Sequence, residues 1–297
     1  LRKLTTTALC ALLLSAFLVG CGNAEEKSRQ AAFIDAVKAG VTEWNDQAES
    51  AGSGSDEYGA SLLKGVQAEA DAIKDIDVDA FEDKDFAKLA SDYRDAVDEE
   101  IKGVENFPDD ADSYNDGYVM GRAIIADVVS ELVDKYGLKF DDTQILENVK
   151  KPAGRMLRTG EKETVETTDG DIQVAAEGVV VDQNSTDRAR QFDGFTSSQN
   201  YSYLLCTLTN ESVEPKQSSL DNWLNIGSMV TARGADGVDL TSPNFSYEYP
   251  GYEIATGGYY AIPAVGSTKR VAIPYVTEAG ITELKIFVGG SFLYIKF

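Results

Sequence analysis

Tyr203-Leu204-Leu205-Cys206-Thr207-Leu208-Thr209 alternates with a period of two, so Leu204, Cys206 and Leu208 fall on one face of a strand. The same period returns on both sides of it. Upstream stand Glu163 to Thr167, Ile172-Gln173-Val174 and Val179-Val180-Val181. Downstream stand Trp223 to Ile226, Met229 to Ala232, Phe245 to Tyr249, Tyr259 to Ile262, Arg270 to Ile273, Leu284 to Val288 and Phe292 to Ile295. Asp169-Gly170, Asp236-Gly237, Pro250-Gly251 and Gly257-Gly258 punctuate them as turns. Many short strands at close spacing predict an antiparallel β-sandwich.

N-terminal to about residue 150 the period changes to that of a helix. Phe33, Ile34, Val37, Val41, Trp44 and Ala48 recur at steps of three and four. Tyr58 to Ile73 carries a second stripe, Phe86 to Val104 a third, and Val119 to Tyr136 a fourth. A short fifth helix is expected around Gln144 to Lys150. Ala51 to Ser55 breaks the first from the second. Asp79 with Glu82 reads as a capping box, Asp112 or Ser113 as a later cap, and Gly137 as a left-handed stop. Loops this short favour antiparallel neighbours, hence a helical bundle. The expected architecture is therefore an N-terminal antiparallel helical bundle followed by an all-β sandwich.

Charge divides along the same line. Residues 22–150 hold 32 acids and 13 bases, whereas 151–297 hold 18 and 12. The whole chain has 297 residues and a formal charge of −23. Nucleic acid is an unsuitable partner, since affinity for phosphates comes from Lys and Arg. With no histidine, the Ser-His-Asp and Cys-His arrangements and His-ligated zinc are excluded. Asp75-Ile76-Asp77-Val78-Asp79 begins like a calcium loop, but Ala80 stands where glycine is needed and Phe86 where the bidentate Glu is needed. No cofactor and no metal are expected, and no carboxylate pair stands out for a hydrolase.

The start of the chain has its own logic. Leu1-Arg2-Lys3 is basic, Leu4 to Val19 is mostly apolar, and Leu18-Val19-Gly20-Cys21 precedes a polar stretch. These residues resemble a bacterial lipoprotein signal. The resemblance implies removal of residues 1–20, lipidation of Cys21, and a tether over 21–28. The apolar run is shorter than the ~20 residues a spanning helix needs. The implied location is the extracytoplasmic face of the cell membrane, held by lipid on Cys21. Cys10 leaves with the signal, so Cys206 is the one free thiol, expected as a buried hydrophobe.

The C-terminal portion supports a second resemblance. Gly160-Glu161, Glu163-Thr164-Val165-Glu166-Thr167, Asp171-Ile172-Gln173-Val174, the strand from Leu204 to Asn210, the Asp236-Gly237 turn and Pro263-Ala264-Val265-Gly266 follow one another in order. The pattern resembles the immunoglobulin-like domain of unknown function found in Gram-positive lipoproteins, grouped with the immunoprotective extracellular antigens. That resemblance implies an immunoglobulin-like sandwich over 160–297 with no catalytic residues. An acidic bundle over 29–150 and a linker over 151–159 complete the expected order. The polar Arg188 to Ser198 insert is expected to be a loop.

Six aromatics fall within Phe245 to Tyr260, and Trp223 adds an indole near Asp221 and Asn222. Phe245, Tyr247 and Tyr249 share a face and suit a core. Tyr252 and Tyr259 sit beside glycines, where loops display side chains. Tyr252, Tyr259 and Trp223 are the candidate ligand-binding residues. The function expected is non-enzymatic binding at the cell envelope, of a protein, peptide or glycan. The alternative is an accessory subunit whose bundle docks a membrane complex or transporter, and a carboxylate-based hydrolase is a remote third.

Overall fold

The computed structural model describes residues 4–52, 54–214, 223–257 and 259–297, with side chains from residue 24 onward. The side chain of Cys21, the basic Arg2 and Lys3, the Asp221-Asn222 pair and Gly258 lie outside the described residues. Helices fill the N-terminal half and β-sheets the C-terminal half. No helix among the described residues is long and apolar enough to cross a membrane.

Two compact units emerge, and neither is continuous in sequence. The helical unit comprises Leu1–Ser50, Ser61–Glu105 and Asp116–Ala153; the β unit comprises Ala51–Ala60, Asn106–Asn115 and Gly154–Phe297. The second therefore takes in two stretches from the helical half of the sequence.

The helices are α1 (Leu4–Ser50), α2 (Ser55–Ile73), α3 (Lys84–Glu105), the short α4 (Ala111–Ser113), α5 (Met120–Tyr136) and α6 (Thr143–Lys150), with a π-helical turn at Tyr114–Val119 leading into α5. On α3 the buried residues Phe86, Ala90, Tyr93, Val97, Glu100 and Val104 trace one face. Its cap is Asp83, whose carboxylate accepts from the backbone N–H groups of Asp85 (3.0 Å) and Phe86 (3.3 Å). The expected Asp79–Glu82 box is displaced, because Asp77 and Asp79 belong to a separate 3-10 turn at Val78–Ala80. Asp110, not Asp112 or Ser113, caps α4 by accepting from the Ser113 N–H. Gly137 closes α5 at φ 81°, and the Leu138 N–H reaches back to the Leu132 carbonyl. Gly117 has a further reason to lack a side chain, since a Cβ there would lie 2.7 Å from the Glu99 carbonyl oxygen and the Gly103 Cα.

In the β unit, β1 (Lys162–Thr167), β2 (Gly170–Val181), β3 (Gln199–Asn210), β8 (Thr268–Glu278) and β6 (Glu253–Ile254) form a five-stranded sheet in that order. A three-stranded sheet runs β10 (Ser291–Lys296), β9 (Glu283–Val288), β5 (Val230–Arg233), and a ribbon joins β4 (Trp223–Asn225) to β7 (Tyr259–Ala261). Only β6 and β8 pair in parallel among the described strands. Leu204, Cys206 and Leu208 of β3 join Val271 and Ile273 of β8, Leu284 and Ile286 of β9, and Leu224 and Tyr260 of the ribbon in one buried cluster. The Tyr275 hydroxyl of β8 donates 3.1 Å to the Val230 carbonyl of β5 within it. Burial pushes the Cys206 thiol far above its ordinary range, so it is inert at neutral pH.

Two expectations need correction here. The Arg188 to Ser198 insert is not wholly loop, because Gln183–Phe192 forms α7, capped by the Asp182 carboxylate on the Ser185 N–H at 2.8 Å. One further helix, α8 (Ile226–Met229), follows β4. Phe245 to Tyr249 forms no strand, and Phe245 is 54% exposed. Tyr247 and Tyr249 keep strand-like spacing because they lie against a true strand: Tyr247 is 5.3 Å from Tyr201, and Tyr249 is 4.8 Å from Tyr203, centroid to centroid. The hydroxyls of Tyr201 and Tyr203 donate to the carbonyls of Phe245 (2.7 Å) and Tyr247 (3.0 Å). Hydrogen bonds that a neighbouring strand would supply come instead from tyrosine side chains.

Candidate functional site

The ribbon of β4 and β7 sorts its residues by alternation. Leu224 is opposite Tyr260, and both are buried at 5% and 6% exposure. Trp223 is opposite Ala261, and Asn225 opposite Tyr259, on the outer face. Trp223 is 54% exposed and Tyr259 50%, so two large rings occupy diagonal positions on one outward surface. The inner face is tied down, since Leu224 and Tyr260 belong to the main core and the Tyr260 hydroxyl donates to Glu253 at 2.5 Å.

A groove of about 390 Å³ opens beside Trp223, between the β1–β2 turn, the ribbon and α8. Its rim carries Glu166, Thr168, Asp169, Asn225 and Ser228, and its apolar surface comes from Val165, Val213, Met229 and Ile262. Local hydrogen bonds set the rim. Thr167 donates to the Gly170 carbonyl at 2.7 Å and accepts from the Asp169 N–H at 3.2 Å. The Asn225 side-chain oxygen accepts from the Ser228 N–H at 3.2 Å and caps α8, which leaves its amide N–H₂ pointing away from that bond.

Tyr252 stands apart from this pair. Its half-buried ring lies 4.1 Å from the Arg270 guanidinium, and its hydroxyl donates to Glu177 at 2.6 Å and accepts from Arg270. A bulge in β2 at Ala176–Gly178 sets Glu177 in this network, which Thr207 joins. Burial alone would raise the Glu177 carboxyl, but hydrogen bonds from Thr207, Tyr252 and Arg270 hold it below its ordinary value. The structure thus unites Trp223 with Tyr259 and commits Tyr252 to internal bonds.

A second groove, of about 410 Å³, lies between α3 and α5 in the helical unit. Asp85, Asp92, Asp127 and Glu131 line it with Lys88, Lys135 and Ile124. Ile124 is 41% exposed, and Met120, one turn earlier on α5, is 56% exposed.

One charged constellation escaped the sequence reading. Glu69 of α2, Glu100 of α3 and Arg122 of α5 are almost wholly buried, at 0%, 0% and 3% exposure. Arg122 reaches Glu69 at 2.9 Å and Glu100 at 2.7 Å, the Tyr93 hydroxyl donates to Glu69 at 3.1 Å, and the guanidinium lies 3.9 Å from the Trp44 ring. Burial raises the Glu69 carboxyl and pushes that of Glu100 well up, while Arg122 works against both shifts. A signal existed: each charge interrupts an apolar stripe, Glu69 between Val66 and Ile73, Glu100 between Val97 and Val104, and Arg122 between Tyr118 and Ile125.

Among the described residues, no group of three or more Cys, Asp or Glu side chains converges in a metal-holding arrangement. Comparison of the chain with protein-family models, curated proteins and solved structures finds no match to any of them. The lipoprotein and immunoglobulin-like resemblances therefore rest on the residues that carry them.

Proposed function

We propose that this chain is a lipid-anchored, extracytoplasmic envelope protein that binds a ligand without transforming it. In this reading Cys21 carries the lipid, the helices pack as an acidic bundle, and the β-sheets form an immunoglobulin-like sandwich that presents the binding surface. Support for the sandwich comes from the single core shared by all three sheets. The observation that carries the function is the outward pair Trp223 and Tyr259 beside an open groove. Two exposed rings on a ribbon whose other face is packed offer rigid area at small entropic cost.

The test is retention of the purified chain on envelope fractions of the bacterium that produces it. Trp223→Ala with Tyr259→Ala should abolish retention while leaving the melting temperature in place. Unchanged retention by the double variant would overturn the reading. For the anchor, fatty-acid labelling should mark the wild-type chain and spare Cys21→Ser; label on the variant refutes lipidation there.

A second reading has its own observation. Met120 and Ile124 lie exposed along α5, beside the acidic groove between α3 and α5. An accessory role, with this face docked on a membrane complex, would use them. Met120→Ser with Ile124→Ser should then abolish co-purification with the complex and leave envelope retention intact.

A further inference from the structure

We propose that the Trp223–Tyr259 ribbon and its groove hold a neutral, N-acetylated oligosaccharide, an assignment that rests on the ribbon being the binding surface. Four observations converge on that class of ligand.

The first is shape. The two exposed rings stand on one pleated face, and an indole presents a broad flat surface of the kind a sugar ring's C–H face covers well. A groove of about 390 Å³ falls within the size range of small-ligand sites.

The second is charge. Glu166 lines the groove, and among the described residues no lysine or arginine does. The β unit and the helical unit are both acidic overall, so an anionic polymer would be repelled at every approach. A neutral ligand meets no such barrier.

The third is hydrogen-bonding chemistry. The Glu166 and Thr168 side chains are exposed, and neither they nor the Asn225 amide N–H₂ make a hydrogen bond with other described residues. A carboxylate accepts, an amide N–H₂ donates, and a hydroxyl does both. Ligand hydroxyls, which also donate and accept, can answer all three. Long charged or purely apolar ligands cannot.

The fourth is the apolar surface of the groove. Val213 and Met229 already belong to the core, and Val165 and Ile262 are the partly buried apolar side chains left along the groove. A surface lined only with hydroxyl partners would leave these residues without a ligand group. An acetamido methyl supplies one, and its N–H gives a donor for a carboxylate.

The experiment titrates the full-length chain with chitohexaose, with cellohexaose as the sugar lacking acetamido groups, and with an arginine-containing proline-rich peptide. The readouts are tryptophan fluorescence and calorimetry. The chain has two tryptophans, and Trp44 is 7% exposed in the helical unit, so Trp44→Phe leaves Trp223 as the reporter. Expected are a saturable response to chitohexaose, affinity for cellohexaose at least ~10-fold weaker, and a loss of ~30-fold or more in Trp223→Ala, the size of a buried aromatic anchor. Asn225→Asp, which keeps the capping oxygen and removes the amide N–H₂, and Glu166→Gln should each weaken binding while leaving the melting temperature unchanged. No saturable response to chitohexaose, equal affinity for cellohexaose, or binding that survives Trp223→Ala would each overturn the proposal. Trp223-dependent binding of the peptide alone would also overturn it, yet would leave the ribbon as a binding surface. Only envelope retention that ignores both ring variants removes that underlying reading.

Discussion

In the helical unit three buried charges, Glu69, Glu100 and Arg122, answer one another; in the β unit the buried Lys285 ammonium meets rings. Lys285 is 8% exposed and makes no ion pair among the described residues. Its nitrogen lies 3.9 Å from the Tyr58 ring centroid, 4.4 Å from Phe292, 5.2 Å from Phe287 and 5.6 Å from Tyr294. Cation–π attraction offsets part of the desolvation. It does not offset all of it, because burial, helped by the nearby Arg233 charge, lowers the Lys285 amine to about 8. The two buried sites therefore respond to pH in opposite senses. Raised glutamates contribute stability that is complete below their unfolded range and is lost as pH rises through the folded values. A depressed lysine is a cost at neutral pH, and that cost fades as pH climbs from about 8 toward the ordinary lysine value of 10.5.

The largest test of this contrast is Arg122→Met. It leaves two buried carboxylates without their cation, and the helical unit should lose ~3–5 kcal/mol by denaturant titration at 222 nm. A loss under ~1 kcal/mol would mean the triad is not closed as described. Next comes Tyr114→Ala. Tyr114 is fully buried and lies 5.1 Å from Phe107 and 5.9 Å from Phe292, centroid to centroid. Although it belongs to the helical half of the sequence, its removal should cost the β unit ~3 kcal/mol or more, read from near-ultraviolet dichroism. A smaller effect follows at Lys285. Lys285→Met should be more stable than wild type by ~2 kcal/mol at pH 7, with the advantage shrinking toward pH 10. Comparing variant with wild type at each pH removes the shared titration of Cys206 and the tyrosines. Glu100→Gln should gain stability relative to wild type as pH rises from 5 to 8, because burial raises the Glu100 carboxyl and ionising it costs the folded state. An advantage that grew as pH fell would reverse the assignment. Smallest of all, Tyr259→Ala should change stability by less than ~0.5 kcal/mol.

The helical and strand periods were legible where a residue faces one environment. The stripe from Phe86 to Val104 is continuous, and Leu204, Cys206 and Leu208 alternate without interruption. Gly137 was legible because only glycine sits easily at its dihedral angle. Reading failed where a side chain serves as a partner for a distant backbone. Tyr247 and Tyr249 look like a strand because they match Tyr201 and Tyr203 ring for ring, not because their own backbone pairs. The helix at Gln183–Phe192 was hidden by its polarity, since Ala189 is the one small apolar residue it buries, yet Asp182 ahead of Ser185 was a visible cap. At the candidate site, the neighbouring glycines singled out Tyr259 and the polar neighbours Trp223, but nothing in the sequence showed their pairing. That needs the register Asn225–Tyr259, which joins strands more than thirty residues apart.

The membership of the β unit sets a timetable for the chain. Tyr58, Phe107 and Tyr114 are made long before Lys285, Phe292 and Tyr294, the groups they surround or touch. Contacts over such sequence distances form late and slowly. Until the last two strands exist, those early aromatics have no home, and the final hairpin acts as the clasp that gathers three separate stretches of chain. A stop codon before residue 283 would thus do more than shorten a sheet: it would strand apolar rings some 170 to 220 residues upstream, in a part of the protein whose own sequence is intact.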